Sequence, residues 1–253
     1  MNAENYPDVI RLLQNHRSVR KFINKEIAES DLEHIIRSAQ AASSSSHGQS
    51  YSIIRVTDPK KRSKLSVYAG NQTHVKTCAE FLVFCADLYR LEQISLLSGV
   101  DMAESLDTTE MFLISTIDAA LAAQNTAVSA EALGFGIVYT GGLRNYPYEV
   151  TQLLNLPRRV YPVFGMCIGY PEEIPEKKPR LPLKAFYFEN EYKRIEDTSL
   201  HIRKYDEVMK QYYLNRTEGS RSETWTETQT MKRKPSRRLF MKSFLKEQGF
   251  LLR

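Results

Sequence analysis

A chain of 253 residues, 42% of them hydrophobic, can bury a sizeable core as one domain, and its net charge of +5 favours anionic partners without choosing among nucleic acid, membrane surface and phosphorylated small molecules. No apolar run approaches the roughly 20 residues of a membrane helix, and the opening MNAENYPDVIRLLQNHRSVRKF has no basic stretch followed by an apolar one, so it does not read as a signal peptide. Cys78, Cys85 and Cys167 are odd in number and form no CxxC pair, which argues against a disulfide framework or a zinc site and fits a reducing cytoplasm.

Taken in chain order, the pattern predicts a helix over Pro7–Asn15 and a second opening on Ser30-Asp31-Leu32-Glu33, a capping box followed by Ile35, Ile36 and Ala39 at helical spacing. Tyr51–Val56 reads as a strand, ended by Asp58-Pro59 as N-cap and first residue of a helix. Phe81–Ala86 is a strand-length apolar run, and Arg90–Asp107 reads as a mobile loop or short helix. Asp107-Thr108-Thr109-Glu110 opens the longest helix, rich in Ala, Ser and Thr and stopped by Gly134, which suits the core or a subunit interface. Ile137–Tyr139 and Val163–Ile168 are further strands, with a short helix between Pro147 and Pro157. Beyond Leu181 the pattern gives a helix over Tyr205–Leu214, a polar stretch over Asn215–Arg238, and a tail over Arg238–Arg253 that regains apolar spacing, as a terminal arm would. No internal repeat and no linker between two cores is visible. The absence of GxGxxG after the first strand disfavours a Rossmann-type dinucleotide fold.

Several polar clusters fall at element junctions. His16-Arg17-Ser18-Val19-Arg20 puts three cations and a hydroxyl within one short segment; guanidinium forks match phosphate oxygens, although a solvated charged turn has the same composition. Ser43-Ser44-Ser45-Ser46-His47-Gly48-Gln49 is rich in donors, as either a binding loop or a flexible one. Tyr139-Thr140-Gly141-Gly142 follows a strand, and paired glycines admit either a tight turn or a planar ligand close to the backbone. In Lys177-Lys178-Pro179-Arg180 the proline fixes the directions of Lys178 and Arg180. His16 could serve a phosphate or simply end a helix, while His47 and His74 read as ordinary loop histidines. There is no HExxH, no GxSxG and no Walker A loop, so no metal is expected.

In their order and spacing these pieces resemble the nitroreductase superfamily, in its NADPH-preferring flavin reductase and oxygen-insensitive nitroreductase branch. The matching stretches are HRSVRKF at 16–22, AASSSSHGQ at 41–49, SIIRVTD at 52–58, GNQTHV at 70–75 and VFCADL at 83–88. They continue with AAQNTAVSAEALGFGIVYTGGLRN at 122–145, FGMCIGYP at 164–171 and KPRLP at 178–182, with YYLNR and TW further on. The resemblance implies an α+β nitroreductase fold: a mostly antiparallel central sheet flanked by helices, a single domain over 1–253 with a C-terminal excursion over about 183–253, and an arm embracing the partner of a homodimer. It implies two FMN sites at the subunit interface. His16, Arg17, Ser18 and Arg180 would hold the phosphate, and Arg20 and Lys178 would lie by O2 and N1 of the flavin, where a cation stabilises the anionic reduced ring. Gln72 would bond the other polar edge. The backbone of Tyr139, Thr140, Gly141 and Gly142 would pass beside the ring, and Ser43, Ser44 and Ser45 would come from the second subunit. Arg216 and Arg221 match the arginines that bind the 2′-phosphate of NADPH; the neighbouring Glu218 and Glu223 depart from the pattern and leave room for NADH. His47 stands where relatives have an apolar or aromatic residue, near the acceptor pocket.

The implied reaction is a ping-pong transfer of hydride from NADPH through flavin N5 to a nitroaromatic, a quinone or free flavin, with no side chain acting as acid or base. A dedicated flavin reductase supplying reduced FMN fits the same residues. An FMN-binding protein without turnover and a nucleic-acid-binding protein using the basic segment Lys232–Arg238 are disfavoured alternatives.

Overall fold

The computed structural model describes residues 8–251 and 253. In chain order its elements are α1 (Asp8–Gln14), α2 (Glu29–Gln40), β1 (Tyr51–Arg55), α3 (Pro59–Tyr68), α4 (His74–Thr77), β2 (Glu80–Asp87), α5 (Tyr89–Ser98) and α6 (Ala103–Leu106). They continue with α7 (Thr109–Ala132), β3 (Gly136–Thr140), α8 (Pro147–Leu154), β4 (Val160–Gly169), α9 (Ile195–Arg216), α10 (Trp225–Arg233) and α11 (Met241–Glu247). Two compact units result: a body of residues up to Pro175 together with Phe240–Arg253, and a second unit over Glu176–Leu239.

The sheet of the body has strand order β1-β2-β4-β3, and every pairing is antiparallel. β2 is buried along its whole length because helices cover both faces. Phe81, Val83 and Cys85 point one way, into a core with Leu65, Val75, Leu143 and Val150 from the α3, α4 and α8 side. Leu82 and Phe84 point the other way, onto Leu32 and Ile35 of α2 and Ala123, Ala127 and Ala130 of α7. The alanines of α7 let it lie close to the sheet. By length and hydropathy α7 could cross a membrane, but its buried side carries Ser115, Asp118 and Thr126 among the alanines, as the helix of a protein core. β4 carries one extra residue, Val163, between the partners of Phe84 and Cys85, and Pro162 sits at this bulge, where its missing N–H does no harm.

The expected cap at Asp58 forms, accepting from the amides of Lys60 and Lys61, and within the stretch expected to open α7 it is Thr108 that caps the helix, accepting from Met111. The expected capping box at Ser30 does not form. α2 starts earlier, on Ala28, whose carbonyl takes the Leu32 amide; Ser30 is therefore already helical, and Glu33 bonds Arg37 one turn on instead of reaching back. The stretch 90–107 is two helices, α5 ended by left-handed Gly99 (φ 70°), with Ser95 Oγ tying both ends of the connection through Val100 and Met102. Ile94, Leu96 and Leu97 are exposed there, so no amphipathic stripe marks the helix. α9 begins ten residues before the expected Tyr205, because its buried side is only the thin line Thr198, Tyr205, Met209 and Tyr213. α10 falls inside the stretch read as polar and opens on a capping box, Thr224 with Glu227. Pro7, the expected start of the first helix, lies outside the described residues.

The tail, read as an arm that packs on the body or a partner, completes the body's own core. Phe244, Leu245 and Phe250 are buried with Ala86, Leu88, Ala119 and Tyr161. Arg159, 3% exposed, fastens this return. Its guanidinium bonds Glu92 and Asp107, each at 2.6 Å, and the carbonyls of Leu106 and Gly249. Its amide donates to Gln248, whose side chain bonds Pro157 and Val160. Arg159→Ala leaves two carboxylates and two carbonyls without their partner; urea unfolding should show a loss of about 3 kcal/mol, and a change below about 1 kcal/mol would mean the tail holds without it.

Candidate functional site

The outer edge of β3 is covered by the segment leading out of α1. Ser18 pairs in parallel with Ile137, and the Val19 amide donates to the Ile137 carbonyl at 2.9 Å. Gly136 makes this approach feasible, since a Cβ there would stand 2.7 Å from Val19. The pairing fixes His16, Arg17 and Ser18 beside the start of β3. His16 Nδ1 lies 2.7 Å from Glu131 Oε1, near the end of α7. Arg17 donates from Nη1 to the Asn15 carbonyl, but its Nε is buried and has no partner among the described residues. An unsatisfied buried donor costs about 1–3 kcal/mol, and an anion arriving here would satisfy it. Arg17, Val19, Glu131 and Gly136 line a cavity of about 200 Å³ at this end of the strand.

Parallel pairing carries Arg20 onward towards the other end of β3. There Gly142 rests on the Ala69 carbonyl so closely that a Cβ would fall 2.2 Å from its oxygen. This contact joins the turn after Tyr139 and Thr140 to the loop holding Gly70, Asn71 and Gln72, where Gly70 (φ 90°) and Asn71 (φ 58°) are left-handed. Gln72 Oε1 lies 2.9 Å from His74 Nε2. Burial, and then the charge of Arg20, push the His74 imidazole below its ordinary value, so it is neutral at pH 7. Its Nε2–H therefore donates to Gln72 Oε1 and leaves the Gln72 amide N–H groups to serve another acceptor. Arg20, Gln72 and the glycine turn thus share one end of the strip, and the phosphate-type donors share the other. Tyr139, half-buried, donates to Gln124 at 3.2 Å, and its phenol is pushed up by burial and by Glu131. Behind Thr140, burial and the Cys78 contact raise the Cys167 thiol; Cys78 itself is held down, against its burial, by Cys167 and Arg62.

The serine loop is built separately, after α2. Buried Asp118 of α7 accepts from the amides of Ser45 (3.1 Å) and Ser50 (3.0 Å), and Ser44 Oγ accepts from the Gln49 amide. Ser46, His47 and Gln49 are all left-handed. The loop is thus a fixed structure that leaves Ser43, Ser45 and His47 exposed.

Within the second unit, Lys178 donates to the Tyr213 hydroxyl at 2.7 Å, and the Tyr205 hydroxyl to the Pro179 carbonyl at 2.8 Å, with the Arg180 charge felt at Tyr205. Arg221 lies over the Tyr213 ring, 4.2 Å from its centre, and Arg216 donates to the Tyr212 hydroxyl at 2.8 Å. The two rings pack edge-on, so the paired arginines stand on paired tyrosines. Burial would raise the Tyr213 phenol, but Lys178, Arg221 and Lys232 outweigh it and lower its pKa. Glu223 bonds Arg221 Nε at 3.3 Å and is itself held below the usual carboxylate range, by backbone amides and by that cation. Of the basic segment 232–238, Lys232 and Arg233 end α10, where cations suit the helix dipole.

Family models match the chain over both units: the nitroreductase family over residues 13–170, and the nitroreductase family C-terminal domain over 178–253. The chain belongs to the nitroreductase family. It is 46% identical, over 96% of its length and 98% of the relative's, to the FMN reductase (NADPH) of Bacillus subtilis (strain 168). It is 40% identical, over 96% and 98%, to the oxygen-insensitive NADPH nitroreductase of Salmonella typhimurium. The solved NfrA1 nitroreductase of B. subtilis superposes with a TM-score of 0.95 at 44% identity, covering 97% of this chain and all of that one. For this nitroreductase, sequence reasoning passed over Glu131, Asp118 and Tyr213, and read His74, which bonds Gln72, as an ordinary loop histidine. Asp118 had left a signal, as a lone acid in the run IDAALAA. Asp118→Ala would strip two amides of their acceptor, and hydrogen exchange at Ser45 and Ser50 should rise by about tenfold or more. Unchanged protection would show that the loop is held by something else.

Proposed function

We propose that this nitroreductase is an FMN-dependent oxidoreductase that takes electrons from NADPH, and with lower preference from NADH, and delivers them to nitroaromatics, quinones or free flavin. The observation that carries the reading is the strip along β3: a buried Arg17 Nε with no partner among the described residues, beside Ser18 at one end, and Arg20, Gln72 and the Gly141–Gly142 turn at the other. A phosphate-bearing planar ligand has anionic and ring ends in that order. When bound, FMN supplies the hydride chemistry itself.

The side chains bind and tune. His16, Arg17 and Ser18, with Arg180, would take the phosphate. Arg20 and Lys178 would place positive charge at the pyrimidine side, favouring acceptance of negative charge there. Gln72, its carbonyl already engaged by His74, has N–H groups left for a ring acceptor. Arg216 and Arg221 would take the 2′-phosphate of NADPH. Their stacking on Tyr212 and Tyr213 holds both guanidiniums ready, while Glu223 competes for Arg221 and weakens the preference against NADH. A homodimer is supported by Leu113, Ile117 and Leu121, which form an exposed apolar stripe at helical spacing on α7. In that dimer the fixed loop Ser43–Ser45 would reach the partner's flavin. Three free, buried thiols suit a reducing cytoplasm.

The absorption spectrum of the purified protein should show oxidised flavin that bleaches on anaerobic addition of NADPH; a colourless protein that takes up no FMN would overturn the reading. Arg180→Ala should weaken FMN binding by about tenfold or more, whereas stoichiometric retention would remove Arg180 from the phosphate site. Arg216→Ala should raise KM for NADPH by about tenfold or more and leave KM for NADH nearly unchanged; equal effects would sink the 2′-phosphate role. Turnover with free FMN against a nitroaromatic separates a flavin reductase from a nitroreductase.

A further inference from the structure

Glu131 has no role assigned above, although its contact with His16 joins the proposed phosphate end to the long helix. Glu131 is the next-to-last residue of α7, with a side chain only 14% exposed, and its Oε1 stands 2.7 Å from His16 Nδ1. His16 Nε2 has no partner among the described residues. A carboxylate can only accept, so the proton between them belongs to Nδ1. With Nδ1 protonated, Nε2 has two states. In the neutral ring it is a bare lone pair, which repels a phosphate oxygen; in the imidazolium it is an N–H that donates to one. Glu131 thereby removes the third arrangement, a neutral ring with its proton on Nε2.

We infer that Glu131 is a positioning residue that makes His16 a proton-dependent phosphate clamp, so that FMN is held tightly only while His16 is an imidazolium. The inference rests on the FMN reading and adds to it a regulation by pH. Other charged or titratable groups face this pair. Arg17, from its own segment, lines the same cavity as Glu131, and Tyr139, whose phenol Glu131 pushes up, comes from β3. Between pH 6 and pH 9 Tyr139, its phenol pushed up, stays neutral. The ligand's own phosphate gains its second charge near pH 6. That change strengthens binding as pH rises, opposite in sign to the proposed effect, so the two are separable.

The sign follows from linkage. FMN binds the imidazolium form better, so affinity falls as pH rises, by up to tenfold per pH unit. In Glu131→Gln the amide can donate to Nδ1, which permits the neutral ring with Nε2–H. That variant loses the attraction of the carboxylate but keeps a donor at high pH. The decisive measurement is the Kd of the apoprotein for FMN, by quenching of flavin fluorescence, from pH 6 to pH 9, with riboflavin as the phosphate-free control. The wild-type Kd should rise by about tenfold or more over this range and that of Glu131→Gln by less than about threefold. The two profiles should cross, so that the variant binds FMN more tightly at pH 9 and less tightly at pH 6. Riboflavin should show no such slope in either protein. Nitrogen-15 shifts of the His16 ring at pH 9 should report the Nδ1–H tautomer in the wild type and the Nε2–H tautomer in the variant. Parallel FMN profiles, or the same tautomer in both, would overturn the inference while leaving FMN binding intact. Absence of FMN binding at every pH would instead overturn the functional reading. If Glu131→Gln does not fold, His16→Asn, whose amide donates without titrating, must flatten the profile; a slope like the wild type's would again overturn the proposal.

Discussion

The free edge of β3 is the constraint on which the site depends. An edge strand must be paired or covered, and here it is paired by the chain that leaves α1. The pairing requires a residue without a side chain at Gly136, because Val19 occupies that space. It runs parallel, so every step from His16 towards Arg20 is also a step along β3 towards Tyr139. The order of donors in the sequence thereby becomes their order in space. Gly142 against Ala69 then brings in the loop of Gln72 and His74 at the far end. Two glycines, each beside another part of the backbone or a branched side chain, convert three separate loops into one strip.

The same economy governs the helix behind the sheet. α7 meets the sheet with alanines, so it comes close, and it carries two carboxylates for two different tasks. Asp118, mid-helix, shapes the serine loop by taking two of its amides, and Glu131, near the end, holds His16. Both acids are the acceptors of donors that would otherwise be unpaired. Its outward face keeps Leu113, Ile117 and Leu121, so one helix serves the core, two loops and an exposed apolar stripe.

How much of this the sequence discloses depends on how local the cause is. The strands were legible because a doubly covered sheet makes unbroken apolar runs, and the N-caps at Asp58 and Thr108 because the cap and its amides lie within one turn. The Ser30 box failed on equally local grounds: the motif is present, but Ala28 opens the helix first and Arg37 takes Glu33. α5 stayed undecided between loop and helix and α10 was missed because their buried contacts are few, and only the Thr224–Glu227 box could have marked the second. Of the site, the donors themselves were legible as clusters and through their resemblance to a family. Their partners were not. Glu131 is 115 residues from His16, and Asp118 is 73 from Ser45, separations at which spacing carries no information.

The return of the tail has a consequence for how the protein is made. Phe250 stands at the centre of an aromatic cluster with Phe112 and Tyr161, residues far earlier in the chain. That part of the body stays open while the ribosome is still adding the second unit, since the side chains that fill it follow that unit in the chain. Until residues 244–250 are made, the nascent chain presents Ala86, Leu88, Tyr161 and Val163 as an unfilled apolar trough. The body is therefore completed only once residues 244–250 have been made, and a chain cut before Phe244 would keep the donors of the site while lacking the plug that holds the body beneath them.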